Sequence, residues 1–169
     1  MPEGPRPRAE EAGRAPTRTG SRGAAVSATA KSRILAVDFG DSRTGLAGTD
    51  WTGTIAVPLP RIDSRDQAEV IRQILELCVE REVEALVVGM PLTLDGTPGE
   101  RARHTQEFVD KLRMESSLPV ATIDESHTTD EAHERLKMGG MKAKKRKDFA
   151  DSVAALVILE RYRHALRRS

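Results

Sequence analysis

Short apolar runs separated by turn residues open the folded part of the sequence. Residues 33–38, 43–49 and 54–59 each predict a strand, and the intervening segments 39–42 and 50–53 predict turns. Three consecutive short strands joined in this way predict an antiparallel meander. Pro58 suits an edge strand, because proline has no N–H to donate to a further neighbour.

Helical and strand patterns alternate in the remainder of the chain. Apolar residues at helical spacing predict a helix after residue 64, for which Asp63 or Ser64 would be the N-cap. The elements that follow are a strand at 84–89 that is apolar on both faces, a helix opened by a capping box at 97–100, a strand at 118–123, a short helix opened by a capping box at 128–131, and a helix from about 147 to 163.

This order, β-β-β-α-β-α-β-α-α, predicts an α/β fold. A meander followed by right-handed β-α-β crossovers gives a five-stranded mixed sheet, three antiparallel strands plus two parallel ones, with helices on both faces. We expect one domain at 32–169. Residues 1–31 are rich in Pro, Gly, Ala, Arg and Ser without apolar periodicity, and they predict a disordered basic tail.

Charge is unevenly distributed along this chain of net charge +1. Residues 1–31 carry six basic and three acidic side chains, and residues 135–147 carry seven basic and no acidic ones. The remaining residues hold 14 basic and 23 acidic side chains, so an acidic body carries two basic segments. Aromatic residues make up only 3% of the chain, which argues against modules that stack bases on aromatic platforms.

The single cysteine excludes an internal disulfide and a cysteine-based zinc site, and it favours a reducing cytoplasmic location. Cys78 lies on the apolar face of the first predicted helix, where we expect an unreactive core residue. No apolar run approaches the ~20 residues of a membrane span, and residues 1–30 lack the apolar core of a signal peptide.

Acidic residues stand at three places where chemistry is expected. Asp38 ends the first strand, and Asp124 and Glu125 end the last, at the strand ends where α/β proteins bind ligands. Each could instead be a turn or cap residue. Asp151 shares a helical stripe with Ala154, Ala155, Ile158 and Tyr162, so it should face the protein, unless it lies in the first turn and only complements the helix dipole.

Three converging carboxylates beside a basic segment suit a divalent metal and phosphate. Mg²⁺ or Mn²⁺ prefers carboxylate oxygens and leaves positions for water and substrate phosphate. Two such ions activate a water and stabilise the leaving oxygen in phosphodiester cleavage.

Four segments resemble the YqgF/RuvX family, in the family's order and across residues 33–163. They are 34–50 (ILAVDFGDSRTGLAGTD), 87–92 (VVGMPL) with Asp95 and Gly96, 124–129 (DESHTT) and 151–159 (DSVAALVIL). The resemblance implies a ribonuclease H-like fold. It also implies a nuclease, since family members are described as Holliday-junction resolvases and as nucleases maturing the 5′ end of pre-16S ribosomal RNA.

The resemblance implies that Asp38, Glu125 and Asp151 are the catalytic metal ligands. One departure matters: the family's Asp-Glu-Arg-Leu motif has Ser126 and His127 in its third and fourth positions here. The lost Arg removes a bidentate partner for phosphate or carboxylate and puts substrate handling in question. His127 could contact a phosphate or carry a proton, or be an exposed loop residue.

Basic residues near these carboxylates are candidates for binding nucleic acid. Arg43, in the predicted hairpin, matches a family Arg and could contact phosphate or simply be exposed. The second basic segment lies next to Asp151 on an otherwise acidic body, so we expect phosphate contacts rather than a merely solvated loop. Its candidate residues are Lys142, Lys144, Lys145, Arg146 and Lys147.

Two functions from different classes fit the sequence. The first is a metal-dependent endonuclease acting on branched DNA or precursor rRNA, and the second is a nucleic-acid-binding module of the same fold that does not cleave. An actin-like ATPase is disfavoured, because such enzymes need two domains of this kind and this chain provides one. The oligomeric state, monomer or homodimer, stays open.

Overall fold

The computed structural model describes residues 28–91, 97–124 and 143–169, and for 143–150 it describes the backbone alone. The elements within these ranges are β1 (Ile34–Asp38), β2 (Thr44–Thr49), β3 (Ala56–Ile62), α1 (Gln67–Glu80), β4 (Ala85–Met90), α2 (Glu100–Glu115), β5 (Val120–Asp124) and α3 (Ala143–Arg168). Outside them lie the tail up to residue 27, Glu125, Ser126, His127, Lys142 and the short helix predicted from 128.

The strands form one five-stranded sheet in the order β3-β2-β1-β4-β5. β1 pairs antiparallel with β2, and β2 with β3, whereas β4 lies parallel to both β1 and β5. The predicted mixed sheet is therefore confirmed. β3 lies at an edge, as Pro58 predicts, and β4 is central and buried over most of its length.

Alternation along the strands gives the sheet two apolar faces. On one face, Leu35 and Val37 of β1 join Leu86 and Val88 of β4. Helices α1 and α2 cover this face with the buried side chains Val70, Ile71, Ile74, Phe108, Val109 and Leu112. Phe108 is fully buried and stacks on Phe39 with ring centroids 4.0 Å apart.

Helix α3 covers the opposite face. The strand residues there include Ala36, Ala47 and Ala85, whose small side chains let the helix lie close to the sheet. The helix contributes Ala155, Ile158 and Leu159, all fully buried. Helices thus lie on both faces, as predicted.

Two helix starts differ from the prediction. Strand β3 runs on to Ile62, so α1 begins only at Gln67. Its N-cap is Asp66 rather than the predicted Asp63 or Ser64. The Asp66 carboxylate accepts a 2.9 Å hydrogen bond from Ala68 N–H. Helix α2 begins at Glu100 and its N-cap is Gly99, two residues after the Thr97 N-cap that the capping-box pattern predicts. Glu100 lies in the first turn, where its charge complements the helix dipole.

Helix α3 extends beyond both predicted ends, from Ala143 to Arg168 instead of about 147 to 163. This span contains neither glycine nor proline, and its many Ala, Leu, Lys and Arg residues are good helix formers. Nothing in the sequence therefore stops the helix near Arg163. In the described ranges, no helix is both long and apolar enough to cross a membrane.

Cys78 is buried on α1, and its burial raises the pKa of the thiol from 9.0 to about 11. A thiol with so high a pKa is almost entirely protonated at neutral pH, and the thiolate is the reactive form. The prediction that Cys78 is a core residue is confirmed.

Candidate functional site

Asp38 is the last residue of β1, and it lies on the face covered by α3. Ile34 and Ala36 of the same strand pack against α3, and the two-residue alternation places Asp38 with them. Its antiparallel partner across the strand pair is Gly45 of β2. Gly45 of β2 is therefore a neighbour of Asp38 on this face of the sheet.

Asp151 lies on α3 directly above that neighbour. A Cβ built on Gly45 would overlap the Asp151 carbonyl oxygen, so the helix backbone rests on the strand at a glycine. Because Gly45 is paired with Asp38, this contact brings Asp38 and Asp151 to the same part of the same face. Two of the three residues predicted as metal ligands thus lie at one strand–helix contact.

The position of Asp151 within its helix excludes one alternative role. Helix α3 begins at Ala143, so Asp151 lies more than two turns inside it. A helix dipole acts mainly on charges in the first turn. Asp151 therefore does not serve to complement the dipole.

The Asp151 carboxylate is partly buried, with 32% of the side chain exposed. Its Oδ2 atom is buried and has no hydrogen-bond partner among the described residues. A carboxylate oxygen withdrawn from water without a partner is costly, and such an oxygen is what hard divalent cations coordinate. The Asp151 carboxylate therefore fits a divalent cation. No group of three or more potential metal ligands occurs within the described residues, and Glu125 lies outside them.

Arg61 is a site residue that the sequence pattern did not reveal. Its Nη1 lies 3.5 Å from Asp151 Oδ2, and its Nε donates a 3.0 Å hydrogen bond to Asp63 Oδ1. Leu59 and Ile62 both face the α1–α2 core although they are three residues apart, so strand β3 carries a bulge between them. The extra residue turns Arg61 towards α3. Pro60, at the bulge, is the one sequence signal for it.

Ser152 fixes the same part of α3 to β3. Its buried hydroxyl donates a 2.7 Å hydrogen bond to the Leu59 carbonyl, just before the bulge. The helix therefore contacts the sheet at two adjacent residues, at Asp151 through Gly45 and at Ser152 through Leu59. Sequence reasoning did not single out Ser152, whose partner is remote in the chain.

The remaining predicted residues are spread around this position. Arg43 is exposed and precedes β2, in the turn that follows Asp38. Lys144, Lys145, Arg146 and Lys147 lie in the part of α3 that precedes Asp151, and their side chains are outside the description. Among the basic residues near the end of α3, Arg163 is buried, and it donates to the carbonyls of Gly53 (3.2 Å) and Thr54 (2.8 Å).

Asp124, the last residue of β5, lies on the face of the sheet away from α3. Ala121 and Ile123 of β5 pack on the α3 side, so Asp124 belongs to the opposite face. Its carbonyl oxygen accepts a 3.4 Å hydrogen bond from Arg161 Nη1.

An open cavity of about 940 Å³ lies beside the β1–β2 turn, on the side of α2. It is lined by Asp41, Glu100, Arg101, Arg103, His104 and Glu107. His104 Nδ1 lies 3.1 Å from Asp41 Oδ1, and its Nε2 lies 2.8 Å from Gln67 Nε2. The lining mixes both signs of charge.

Comparison with known proteins gives a family and a fold. A family model described as "RuvX: Holliday junction resolvase" matches residues 32–164. A protein of Thermosynechococcus vestitus named "Putative pre-16S rRNA nuclease" is 39% identical over 129 residues, which cover 76% of this chain and 85% of that protein. One of the same name from Chloroflexus aurantiacus is 41% identical over 134 residues, which cover 79% of this chain and 88% of that protein.

A solved structure supports the architecture. T. thermophilus RuvC, in complex with a Holliday junction substrate, superposes with a TM-score of 0.51 over 80% of this chain and 97% of that one, at 16% identity. At that identity the likeness shows the fold alone, and it confirms the predicted ribonuclease H-like fold.

Proposed function

The chain belongs to the RuvX family, a family of nucleases, and on that premise we propose that it is a divalent-metal-dependent endonuclease that cleaves phosphodiester bonds in structured nucleic acid. The observation that carries this proposal is the meeting of Asp38 and Asp151 across Gly45, with a buried Asp151 oxygen that lacks a hydrogen-bond partner among the described residues. A buried carboxylate oxygen without a hydrogen-bond partner suits cation binding, and it is Asp151 that supplies this oxygen.

The ligand set that we propose is Asp38, Glu125 and Asp151. Strand parity argues against Asp124, which belongs to the face of α1 and α2. If β5 kept its alternation for one more residue, Glu125 would share the face of Asp38 and Asp151. A pair of Mg²⁺ or Mn²⁺ ions held there would activate a water and stabilise the leaving oxygen. Asp38 and Asp151 are held by a strand and a helix, which orients their oxygens before substrate binds.

The basic residues at the start of α3 are the proposed phosphate contacts, together with Lys142 and Arg43. Cations near a helix N-terminus oppose the helix dipole, and α3 has no acidic residue in its first turn to balance them. A phosphate bound there would offset the unfavourable charge. Lys147 and Lys144 precede Asp151 by four and seven residues, a spacing that places all three positions on one side of the helix.

The names of the curated relatives favour precursor 16S rRNA as the substrate, and the name of the family model favours junction DNA. A cleavage panel of four-way junction DNA, single-stranded DNA and a pre-16S rRNA fragment, each with Mg²⁺ and with Mn²⁺, decides between them. Because the relatives align over most of their own length at about 40% identity, we expect the precursor RNA to be cleaved fastest.

Three near-isosteric variants test the ligand set: Asp38→Asn, Glu125→Gln and Asp151→Asn. Each should abolish cleavage while the thermal midpoint is maintained, because the change removes a ligand charge and relieves repulsion between carboxylates. Asp110→Asn, at an exposed position on α2, is the matched control and should cleave normally. Wild-type turnover by all three variants at saturating metal would overturn the assignment.

A second function is favoured by Ser126, which stands where the family motif has Arg. Loss of a guanidinium could leave a module that binds nucleic acid without cutting it. Binding of the panel substrates with no product under either metal would establish that alternative.

The basic segment has its own test, the triple variant Lys144→Ala, Lys145→Ala, Lys147→Ala. Each phosphate contact contributes about 0.7–0.9 to the slope of log K against log salt, so the variant should bind uncut substrate in Ca²⁺ more weakly and with a smaller slope. Sequence preference should not change, because phosphate contacts do not read bases. Arg167→Ala with Arg168→Ala, at the other end of α3, is the control, and a reduced slope there instead would move the binding surface.

A further inference from the structure

Arg61 links two carboxylates in the candidate site. Its Nε is held by a hydrogen bond to Asp63, and its Nη1 approaches Asp151 Oδ2 at 3.5 Å. The Asp151 oxygen nevertheless has no hydrogen bond among the described residues, so the two groups attract each other by charge without a directed bond. Arg61 is therefore anchored by Asp63 and not by Asp151.

The bulge in β3 determines the face of the sheet on which the Arg61 side chain lies. Without the extra residue, the side chain at position 61 would follow Leu59 to the face of α1 and α2. The bulge turns it to the face that carries Asp38 and Asp151, where 25% of the side chain is exposed. Bulges often serve to redirect a side chain beside a functional site.

We propose that Arg61 is a phosphate-binding residue of this site, and that it competes with a divalent cation for Asp151. The inference rests on the proposed nuclease function. When Asp151 Oδ2 coordinates a cation, Arg61 loses that attraction, while its bond to Asp63 keeps the guanidinium in place. Arg has five N–H donors, and those on Nη1 and Nη2 are then available for a substrate phosphate.

Competition for Asp151 predicts the direction of the effect on metal binding. Arg61 and a divalent cation on Asp151 repel each other, so removing the Arg61 charge should strengthen cation binding. A unit charge about 6 Å from a divalent ion, at the dielectric constant of water, changes affinity about tenfold. An arginine that merely held Asp151 in place would have the opposite effect, because its loss would weaken cation binding.

The test uses the full chain without nucleic acid. Calorimetric titration with Mn²⁺ should show about tenfold tighter binding for Arg61→Gln than for wild type, and near-wild-type binding for Arg61→Lys, which keeps the charge. Arg72→Gln removes the same charge from an exposed α1 position that pairs with Glu69 and Glu76, and it should leave the Mn²⁺ affinity unchanged.

Nucleic-acid binding gives the second measurement. With the substrate that is cleaved fastest in the panel, kept uncut in Ca²⁺, Arg61→Gln should bind more weakly. The slope of log K against log salt should fall in magnitude by about 0.7–0.9, the contribution of one phosphate contact. Unchanged or weaker Mn²⁺ binding by Arg61→Gln would overturn the competition, and an unchanged slope would overturn the phosphate contact.

Asp151→Asn separates failure of this inference from failure of the proposed function. If Asp151→Asn loses Mn²⁺ while Arg61→Gln binds it as wild type does, only the role of Arg61 is wrong. If Asp151→Asn binds Mn²⁺ normally, the proposed metal site itself is wrong. Thermal unfolding of each variant verifies that the chain is folded in these titrations.

Discussion

The contact between Gly45 and Asp151 predicts that Gly45→Ala moves helix α3 away from β2 at the candidate site. The added Cβ would overlap the Asp151 carbonyl oxygen and lie 3.2 Å from Asp151 Cα. These atoms belong to the helix backbone, so no side-chain rotation relieves the overlap. Either β2 or the helix has to shift, and the buried side chains Ala155, Ile158 and Leu159 resist the shift.

The magnitude follows from two opposing effects. Replacing a strand glycine by alanine removes an entropic cost of roughly 0.5–1 kcal/mol. Overpacking against a well-packed neighbour costs about 1–3 kcal/mol. We therefore expect the free energy of unfolding, measured by urea titration, to fall by about 1–2 kcal/mol. A displacement of Asp151 by about 1 Å should lower cleavage about a hundredfold.

Gly48→Ala is the matched control on the same strand. Its Cβ would lie 3.1 Å from Leu59 Cδ1 and 3.5 Å from Arg81 Nε, both side-chain atoms that can move. This variant should be nearly as stable as wild type and should cleave normally. Equal stability of the two variants would refute the close approach of α3 to β2, and a destabilised Gly45→Ala with wild-type turnover would refute the link between that approach and cleavage.

Three further predictions concern the core and the attachment of α3. Phe108→Ala should cost about 3–5 kcal/mol in urea unfolding, because the ring is fully buried and stacked on Phe39; a loss below about 1 kcal/mol would contradict that packing. Ser152→Ala leaves the Leu59 carbonyl without its 2.7 Å donor and should cost about 1–3 kcal/mol, whereas an unchanged midpoint would mean that water replaces the hydroxyl. Burial raises the pKa of Cys78 to about 11, so the thiol ionises first in the unfolded chain, and the free energy of unfolding should fall as pH rises from about 9 to 11. Cys78→Ala should lack this part of the decline. The same pH dependence in both proteins would refute the raised pKa.

The fold was predictable because its signals are local. Residues 84–89 are apolar on both faces, which only a central strand requires, and Pro58 marks an edge. Helical spacing of Val70, Ile71 and Ile74 identifies the face of α1 that packs on the sheet. Each of these patterns depends on a few neighbouring residues, so the chain alone determines them.

Helix ends were less predictable, because competing signals lie close together. Asp63, Ser64 and Asp66 are all suitable N-caps, and the choice of Asp66 depends on how far β3 extends along β2. The start of α3 differs from the prediction for another reason. The predicted start at about residue 147 is too late, because Lys and Arg are good helix formers and residues 143–147 continue α3 towards its N-terminus.

The candidate site was predictable only where a residue type carries its own chemistry. Asp38 and Asp151 were identifiable as acidic residues at a strand end and on an inward-facing helical stripe. Gly45 and Ser152 act through partners remote in the chain, so no local pattern marks them. Arg61 is harder still, because regular alternation assigns it to the wrong face of the sheet.

The alternation of side chains along a strand explains why Asp38 could be predicted as a site residue and Arg61 could not. In a strand without a bulge, side chains alternate regularly up to the last residue. Because Ile34 and Ala36 pack against α3, Asp38 lies on the same face. A single extra residue reverses parity for everything beyond it, which is how β3 brings Arg61 to Asp151. The same reasoning makes the choice between Asp124 and Glu125 a structural one: if β5 keeps its alternation, only Glu125 shares the face of Asp38. Cleavage by Glu125→Gln and Asp124→Asn therefore tests the regularity of β5 as much as the chemistry of either carboxylate. We expect Glu125→Gln to lose cleavage and Asp124→Asn to keep it. The opposite result would require a bulge at the end of β5.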